Sequence, residues 1–183
     1  MKVNVGVSNR HVHLKKQDLD ILFGTELTIK NKINQPGQFA CNEVVTIKTE
    51  KSEINNVRVL GPTRNYTQIE ISKTDAYKLG INPPVRSSGC LENSEVVTII
   101  GPKGSIKTNG CIIADRHLHI TNKDKIKYNV PDKINVKISG IKSGIIEVNV
   151  KASEEAYFEV HLDTDDANAF LLKNGDEVEI LDV

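Results

Sequence analysis

The chain contains five histidines, and four of them stand in two H-x-H pairs, His11-Val12-His13 and His117-Leu118-His119. In an extended strand, residues i and i+2 project from the same face about 6–7 Å apart. Each pair therefore aims two imidazoles at one point, with the apolar residue between them turned the other way. A neutral imidazole is a good ligand for a divalent metal, and near pH 7 most imidazoles are neutral. One such pair is ordinarily solvated or hydrogen-bonded. Two copies, each preceded by an arginine (Arg10 and Arg116), in a chain with a single other histidine point to metal binding.

Zinc normally takes three or four ligands. His161 ends a predicted strand and is the natural third ligand of one site, although standing alone it would read as a core histidine before a helix cap. A carboxylate could complete the other site. Glu92, in the loop Ser88-Gly89-Cys90-Leu91-Glu92, is one candidate, and Glu95 is a second. An open coordination position beside such ligands separates a catalytic metal from a structural one. Arg86 lies between Pro83-Pro84-Val85 and Ser87-Ser88-Gly89. A guanidinium in a small-residue loop suits an oxyanion such as phosphate, which it can grip with two donors, although an isolated arginine is more often an ordinary surface residue. Gly61-Pro62-Thr63-Arg64 and Gly101-Pro102-Lys103-Gly104 are weaker anion signals and read first as hairpin turns. No G-x-x-x-x-G-K-[ST], G-x-G-x-x-G after a strand, or G-x-S-x-G occurs, so kinases, dinucleotide enzymes and α/β-hydrolases have no support.

The elements that must hold these residues are mostly strands. Ile (21) and Val (18) dominate the 183 residues, and only 4% are aromatic. β-Branched side chains fit a pleated sheet better than a helix, so the core is expected to be aliphatic and strand-built. Short strands broken by Gly, Pro and Asn run from 3–7 through 177–181, a pattern of barrels or sandwiches. Four short helices interrupt them. Ser72-Lys73-Thr74-Asp75 and Asp163-Thr164-Asp165-Asp166 each supply an N-cap with an acidic third position. Thr121-Asn122-Lys123-Asp124 opens a third helix, and 15–23 a fourth.

An internal repeat organises the chain. Ser8-Asn9-Arg10-His11-Val12-His13-Leu14 is echoed 106 residues later by Ala114-Asp115-Arg116-His117-Leu118-His119-Ile120, and 70–78 by 161–169. Two related half-chains follow, with no flexible linker between them. With 24 basic and 24 acidic residues the chain is formally neutral, which argues against nucleic acid as a partner. The longest apolar run is four residues, too short for a membrane-spanning helix, and the start lacks a signal-peptide core. A cytoplasmic location is expected. Cys41, Cys90 and Cys111 are widely spaced and odd in number, as expected of free thiols in a reducing compartment.

The run Val5-Gly6-Val7-Ser8-Asn9-Arg10-His11-Val12-His13-Leu14 strongly resembles the start of PduL-type phosphate acyltransferases, the phosphotransacylases that include phosphate propanoyltransferase. Gln35-Pro36-Gly37-Gln38-Phe39-Ala40, Val57-Arg58-Val59-Leu60-Gly61-Pro62 and Pro84-Val85-Arg86 with Ser88-Gly89 fit the same family. So do Ala114-Asp115-Arg116-His117-Leu118-His119 and His161-Leu162-Asp163-Thr164-Asp165, so the resemblance covers essentially the whole chain.

That resemblance implies a mainly β fold of two related β-barrel domains capped by short helices. The expected domains are 9–118 and 119–183, with strand 1–8 added to the second. It further implies two Zn2+ ions per chain at a site between the barrels. His11, His13 and Glu92 would hold one ion, whose open position takes the sulfur of coenzyme A. His117, His119 and His161 would hold the other, and Arg86 would bind phosphate. The implied reaction joins a coenzyme A thioester (acetyl or propanoyl) and phosphate to give acyl phosphate and coenzyme A, in a homodimer. Cys90 stands where many relatives carry an acidic or small residue, and 128–133 lacks the expected Gly-Asp turn. The H-x-H begins at residue 11, which leaves no room for an N-terminal encapsulation extension and makes a microcompartment the less expected location.

A cupin-like enzyme with one metal also places H-x-H in a β-barrel. However, the glutamate expected four residues on is Gln17, and two H-x-H pairs are present. A non-catalytic metal-binding module with closed sites is the remaining alternative.

Overall fold

The computed structural model describes residues 1–181 and 183. The first part of the chain forms β1 (Lys2–Ser8), β2 (His11–His13), α1 (Lys16–Leu22), β3 (Ile29–Lys32), β4 (Phe39–Lys48), β5 (Glu53–Gly61), β6 (Gln68–Glu70), α2 (Lys73–Leu79), β7 (Val85–Arg86), β8 (Glu95–Ile100) and β9 (Ser105–Ala114). The rest forms β10 (His117–Thr121), α3 (Asn122–Lys127), β11 (Lys133–Ile138), β12 (Gly144–Ser153), β13 (Glu159–Asp163), α4 (Thr164–Ala169) and β14 (Glu177–Ile180).

These elements make two compact units, Arg10–Ala114 and Met1–Asn9 with Asp115–Val183. The second unit closes into a barrel in the order β1-β13-β10-β12-β11-β14. In the first, β4-β5-β2-β6-β9-β8 returns to β4 and closes the same way, with β3 and β7 paired on as additions. Pair by pair the two barrels agree. Each H-x-H strand lies parallel to one neighbour (β2 to β5, β10 to β12) and antiparallel to the other (β2 to β6, β10 to β13). The mainly β fold of two related barrels read from the sequence is the fold observed.

The division falls at Ala114/Asp115. A cut at 118/119, as expected from the sequence, would pass through β10, which is hydrogen-bonded along its length to β12 and β13. β1 pairs with β13 and β14, so the N-terminal strand belongs to the barrel built from the C-terminal half. It stands there where β9 stands in the other barrel, parallel to one neighbour and antiparallel to the next.

Alternation explains which side chains fill each barrel. In β11, Ile134, Val136 and Ile138 are buried while Lys133, Asn135 and Lys137 face out. Val12, Leu118, Ile120 and Val160 are fully buried, and both cores are mostly aliphatic. The capping signals also behave as expected. Ser72 Oγ accepts from the Asp75 amide at 3.2 Å and the Asp75 carboxylate accepts from the Ser72 amide at 3.5 Å, a capping box. Asp163 caps α4 and Thr121 caps α3 through their side-chain oxygens.

The arginine before each H-x-H has the same task in both barrels. Arg10 Nε donates to Asp75 Oδ2 at 2.9 Å, and Arg116 Nε donates to Asp166 Oδ2 at 3.0 Å. Each ties the start of a histidine strand to the first turn of a capping helix.

The three cysteines are free thiols, with Cys41 and Cys111 buried and Cys90 exposed. Burial pushes the Cys41 thiol up to about 11 and the Cys111 thiol up to about 12. A disulfide-exchange reagent at pH 8 is therefore expected to titrate one thiol in the native chain and all three after unfolding. Three fast-reacting thiols in the native protein would contradict the packing of Cys41 and Cys111. Leu118, buried between two histidines, provides a second check: Leu118→Ala is expected to lower unfolding stability by about 2–5 kcal/mol in urea titrations.

Candidate functional site

In the unit Arg10–Ala114, His11 and His13 project from the face of β2 opposite Val12. Their rings meet edge to face with centroids 5.0 Å apart. The antiparallel register of β6 sets Glu70 across from His11 and Gln68 across from His13. Glu70 Oε2 lies 3.4 Å from His11 Nε2, and its Oε1 lies 3.9 Å from His13 Nε2. Gln68 Nε2 donates to Glu70 Oε1 at 2.6 Å and so orients the carboxylate. One ligand atom from each of His11, His13 and Glu70 falls within 4.8 Å of the others.

The electrostatics suit a cation. Burial, then the charges of His11 and Arg64, push His13 down to about 2, so its ring is neutral at physiological pH. Burial works to raise the Glu70 carboxyl. His11, through charge and a hydrogen bond, overrides it together with His13 and Gln68, and holds the group below the usual carboxylate range. A neutral His13 ring and the His11 ring beside an ionised carboxylate offer two nitrogens and an oxygen, a donor set that fits a divalent zinc-like ion.

The second group belongs to the other unit. His117 and His119 stand on β10 with their Nε2 atoms 3.0 Å apart. His117 Nδ1 lies 2.7 Å from the Asp115 carbonyl oxygen. A carbonyl can only accept, so Nδ1 carries the proton, and in the neutral ring the Nε2 lone pair turns toward His119. His161, directly across from His117 in the antiparallel register, completes the group; its ring centroid is 4.7 Å from that of His119. One ligand atom from each of the three again lies within 4.8 Å of the others. Here too the donor set fits zinc: three imidazoles, one already held by a backbone acceptor on its far side.

Register makes the two groups equivalent. Glu70 is to His11 what His161 is to His117. The sequence carried a signal for Glu70, because the echo of 70–78 in 161–169 aligns it with His161. The cross-strand register that gives this alignment its meaning is visible only in the fold.

Glu92 is not among the residues grouped with His11 and His13. It is exposed in the turn before β8, and its carbonyl accepts from Arg86 Nε at 3.2 Å. Glu95 Oε1 accepts from the Asn82 amide at 3.1 Å, and Cys90 is exposed on the same loop. Among the described residues, the carboxylate grouped with His11 and His13 is that of Glu70. Arg86 sits half-buried on β7, with Nη1 donating to the Val85 carbonyl at 3.0 Å. Among the described residues it forms no ion pair, so its charge is not cancelled by a carboxylate.

Gln68, which sequence reading passed over, joins these parts. Its Oε1 accepts from the Gly89 amide at 2.8 Å, and its Nε2 donates to Ser88 Oγ at 3.0 Å as well as to Glu70. Arg64 Nη1 also donates to Ser88 Oγ, at 3.0 Å. The loop after Arg86 is thus pinned to the strand that carries Glu70. Gln68→Leu removes the acceptor for the Gly89 amide at similar volume. Its hydrogen exchange is expected to accelerate about tenfold, the worth of one hydrogen bond, and an unchanged rate would show that the loop is held by other contacts.

The chain resembles known proteins along nearly its whole length. The family model described as phosphate propanoyltransferase matches residues 4–173. A protein of Thermotoga maritima named phosphate propanoyltransferase is 51% identical over 97% of this chain and 88% of its own length. Proteins of the same name from Rhodopseudomonas palustris and Priestia megaterium are 45% and 49% identical, over 98% and 95% of this chain and 82% and 83% of their own lengths. On this similarity the chain belongs to the phosphate propanoyltransferase family, a family of acyltransferase enzymes.

Proposed function

We propose that the chain interconverts acyl-CoA plus phosphate with acyl phosphate plus CoA, using acetyl or propanoyl groups and two zinc ions per chain. The observation that carries this reading is the recurrence, at the same register position of both barrels, of a metal-competent group. One is built on His11 and His13, the other on His117, His119 and His161. Bound zinc would supply a thiophilic Lewis acid, able to hold the CoA sulfur and to polarise the thioester carbonyl.

The chain's own residues account for the rest. His11 and His13 would hold one ion with a carboxylate. Glu70 stands in that group, and Glu92 is the residue that the family resemblance implies. His117, His119 and His161 would hold the other ion. Arg86 has an uncancelled charge and a forked set of donors, and would orient phosphate toward the thioester carbon. A phosphate oxygen then forms the new C–O bond while the C–S bond breaks, and the electron pair leaves with the CoA sulfur. No protein nucleophile takes part, so labelled acyl groups are expected to stay off the protein. The family resemblance also supports a homodimer.

Metal analysis tests the sites directly. The unaltered protein is expected to hold about two zinc ions per chain. His13→Ala and His119→Ala should each lower this to about one, and a chelator should abolish phosphate-dependent release of CoA from propanoyl-CoA. Zinc content of Glu70→Gln and Glu92→Gln identifies the carboxylate donor as the one whose loss empties the first site. A protein that releases CoA at full rate without metal would sink the reading.

Arg86→Ala is expected to raise the KM for phosphate about 10- to 100-fold, the worth of a charged hydrogen bond, and to leave the KM for acyl-CoA nearly unchanged. An unaltered KM for phosphate would remove Arg86 from that role.

A further inference from the structure

We infer that Glu159 is a positioning residue that holds the His161 ring by a hydrogen bond and so commits one ring nitrogen to the metal; this rests on the zinc reading above. Glu159 is buried, 3% exposed, although a carboxylate is costly to bury without donors. Its Oε2 lies 2.7 Å from His161 Nε2. An ionised carboxylate only accepts hydrogen bonds, so Nε2 carries the proton and the electron pair of the neutral ring is left on Nδ1. Metal-bound histidines are typically oriented this way, by an acceptor on the far nitrogen. His117 receives the same treatment from the Asp115 carbonyl at 2.7 Å.

Two further observations favour a built arrangement. The first is Gly6, which faces His161 from β1 in parallel register. A Cβ there would stand 2.4 Å from Glu159 Oε2 and 2.6 Å from His161 Cδ2. Unlike several other glycines in the chain, Gly6 does not have a left-handed backbone. Space for the Glu159–His161 pair is therefore the reason a side chain is absent.

The second observation comes from the other barrel. Gln68 occupies the position of Glu159, two residues before the third member of the metal group and on the same face. It is fully buried and donates to Glu70 at 2.6 Å. Where the third member is a carboxylate, its neighbour offers a donor; where it is an imidazole, its neighbour offers an acceptor. Exchanging the two neighbours would set carboxylate against carboxylate in the first barrel.

The test uses the full chain. In chelator competition, Glu159→Gln is expected to weaken zinc at the three-histidine group about 10- to 100-fold and to leave the other group unchanged. Gly6→Ala should weaken the same group while Glu159 is still present. With cobalt in place of zinc, the spectrum of Glu159→Gln should retain the donor set of the unaltered protein. Side-chain 15N spectra of metal-free protein should show His161 as the Nε2–H tautomer, and a mixture of tautomers in Glu159→Gln. This readout needs no metal and can be made on any folded variant.

Unchanged zinc affinity with an unchanged tautomer in Glu159→Gln overturns the inference. A cobalt spectrum showing one donor lost overturns it too, because Glu159 would then be a ligand. Failure of the zinc reading looks different: the unaltered protein would bind no zinc, or His161→Ala would keep the full complement, and the inference would fall with it.

Discussion

Val12 and Leu118 are fully buried, and a strand alternates its faces, so the histidines on either side of each are forced together onto the opposite face. The rest of both candidate sites depends on this constraint. A slip of one residue in β2 or β10 would turn two imidazoles into an aliphatic core and bring a valine or leucine out. Desolvating two imidazoles without partners is costly, so burial of the central apolar residue holds the register of the histidines. The alternation that packs the barrel also pairs the histidines.

The third member of each group comes from the antiparallel neighbour, which explains why the same geometry supports different chemistry. In one barrel the negative charge sits on the grouped residue itself, Glu70, steadied by the Gln68 amide. In the other the carboxylate is that of Glu159, which stands across the strand pair from His119 and is hydrogen-bonded to His161. Both arrangements keep the charge near the place where a cation would be, and both leave each buried carboxylate with a donor.

The barrels also show how a repeat is accommodated in one chain. β9 closes the barrel of the first half, and β1 takes the same place in the barrel of the second half. The strand that supplies Gly6 to the His161 neighbourhood is thus separated from it by more than 150 residues of sequence. Hydrogen-bond pairing at such separation leaves no trace in local composition.

What could be read from the residues in order was local: aliphatic alternation, the caps at Ser72, Thr121 and Asp163, the two H-x-H pairs, and the echo between the halves. All but the echo depend on side chains within a few positions of one another, where propensity and periodicity act directly, and the echo compares two such short segments. Resemblance to a family carried the expectation of paired barrels and named Glu92 beside His11 and His13. The fold alone grouped Glu70 there, left Glu92 in an exposed turn, set Gln68 between Glu70 and the loop after Arg86, and laid Glu159 against His161. Those placements follow from cross-strand register and barrel closure, which bring together residues far apart in the chain and are decided by the packing of the whole barrel.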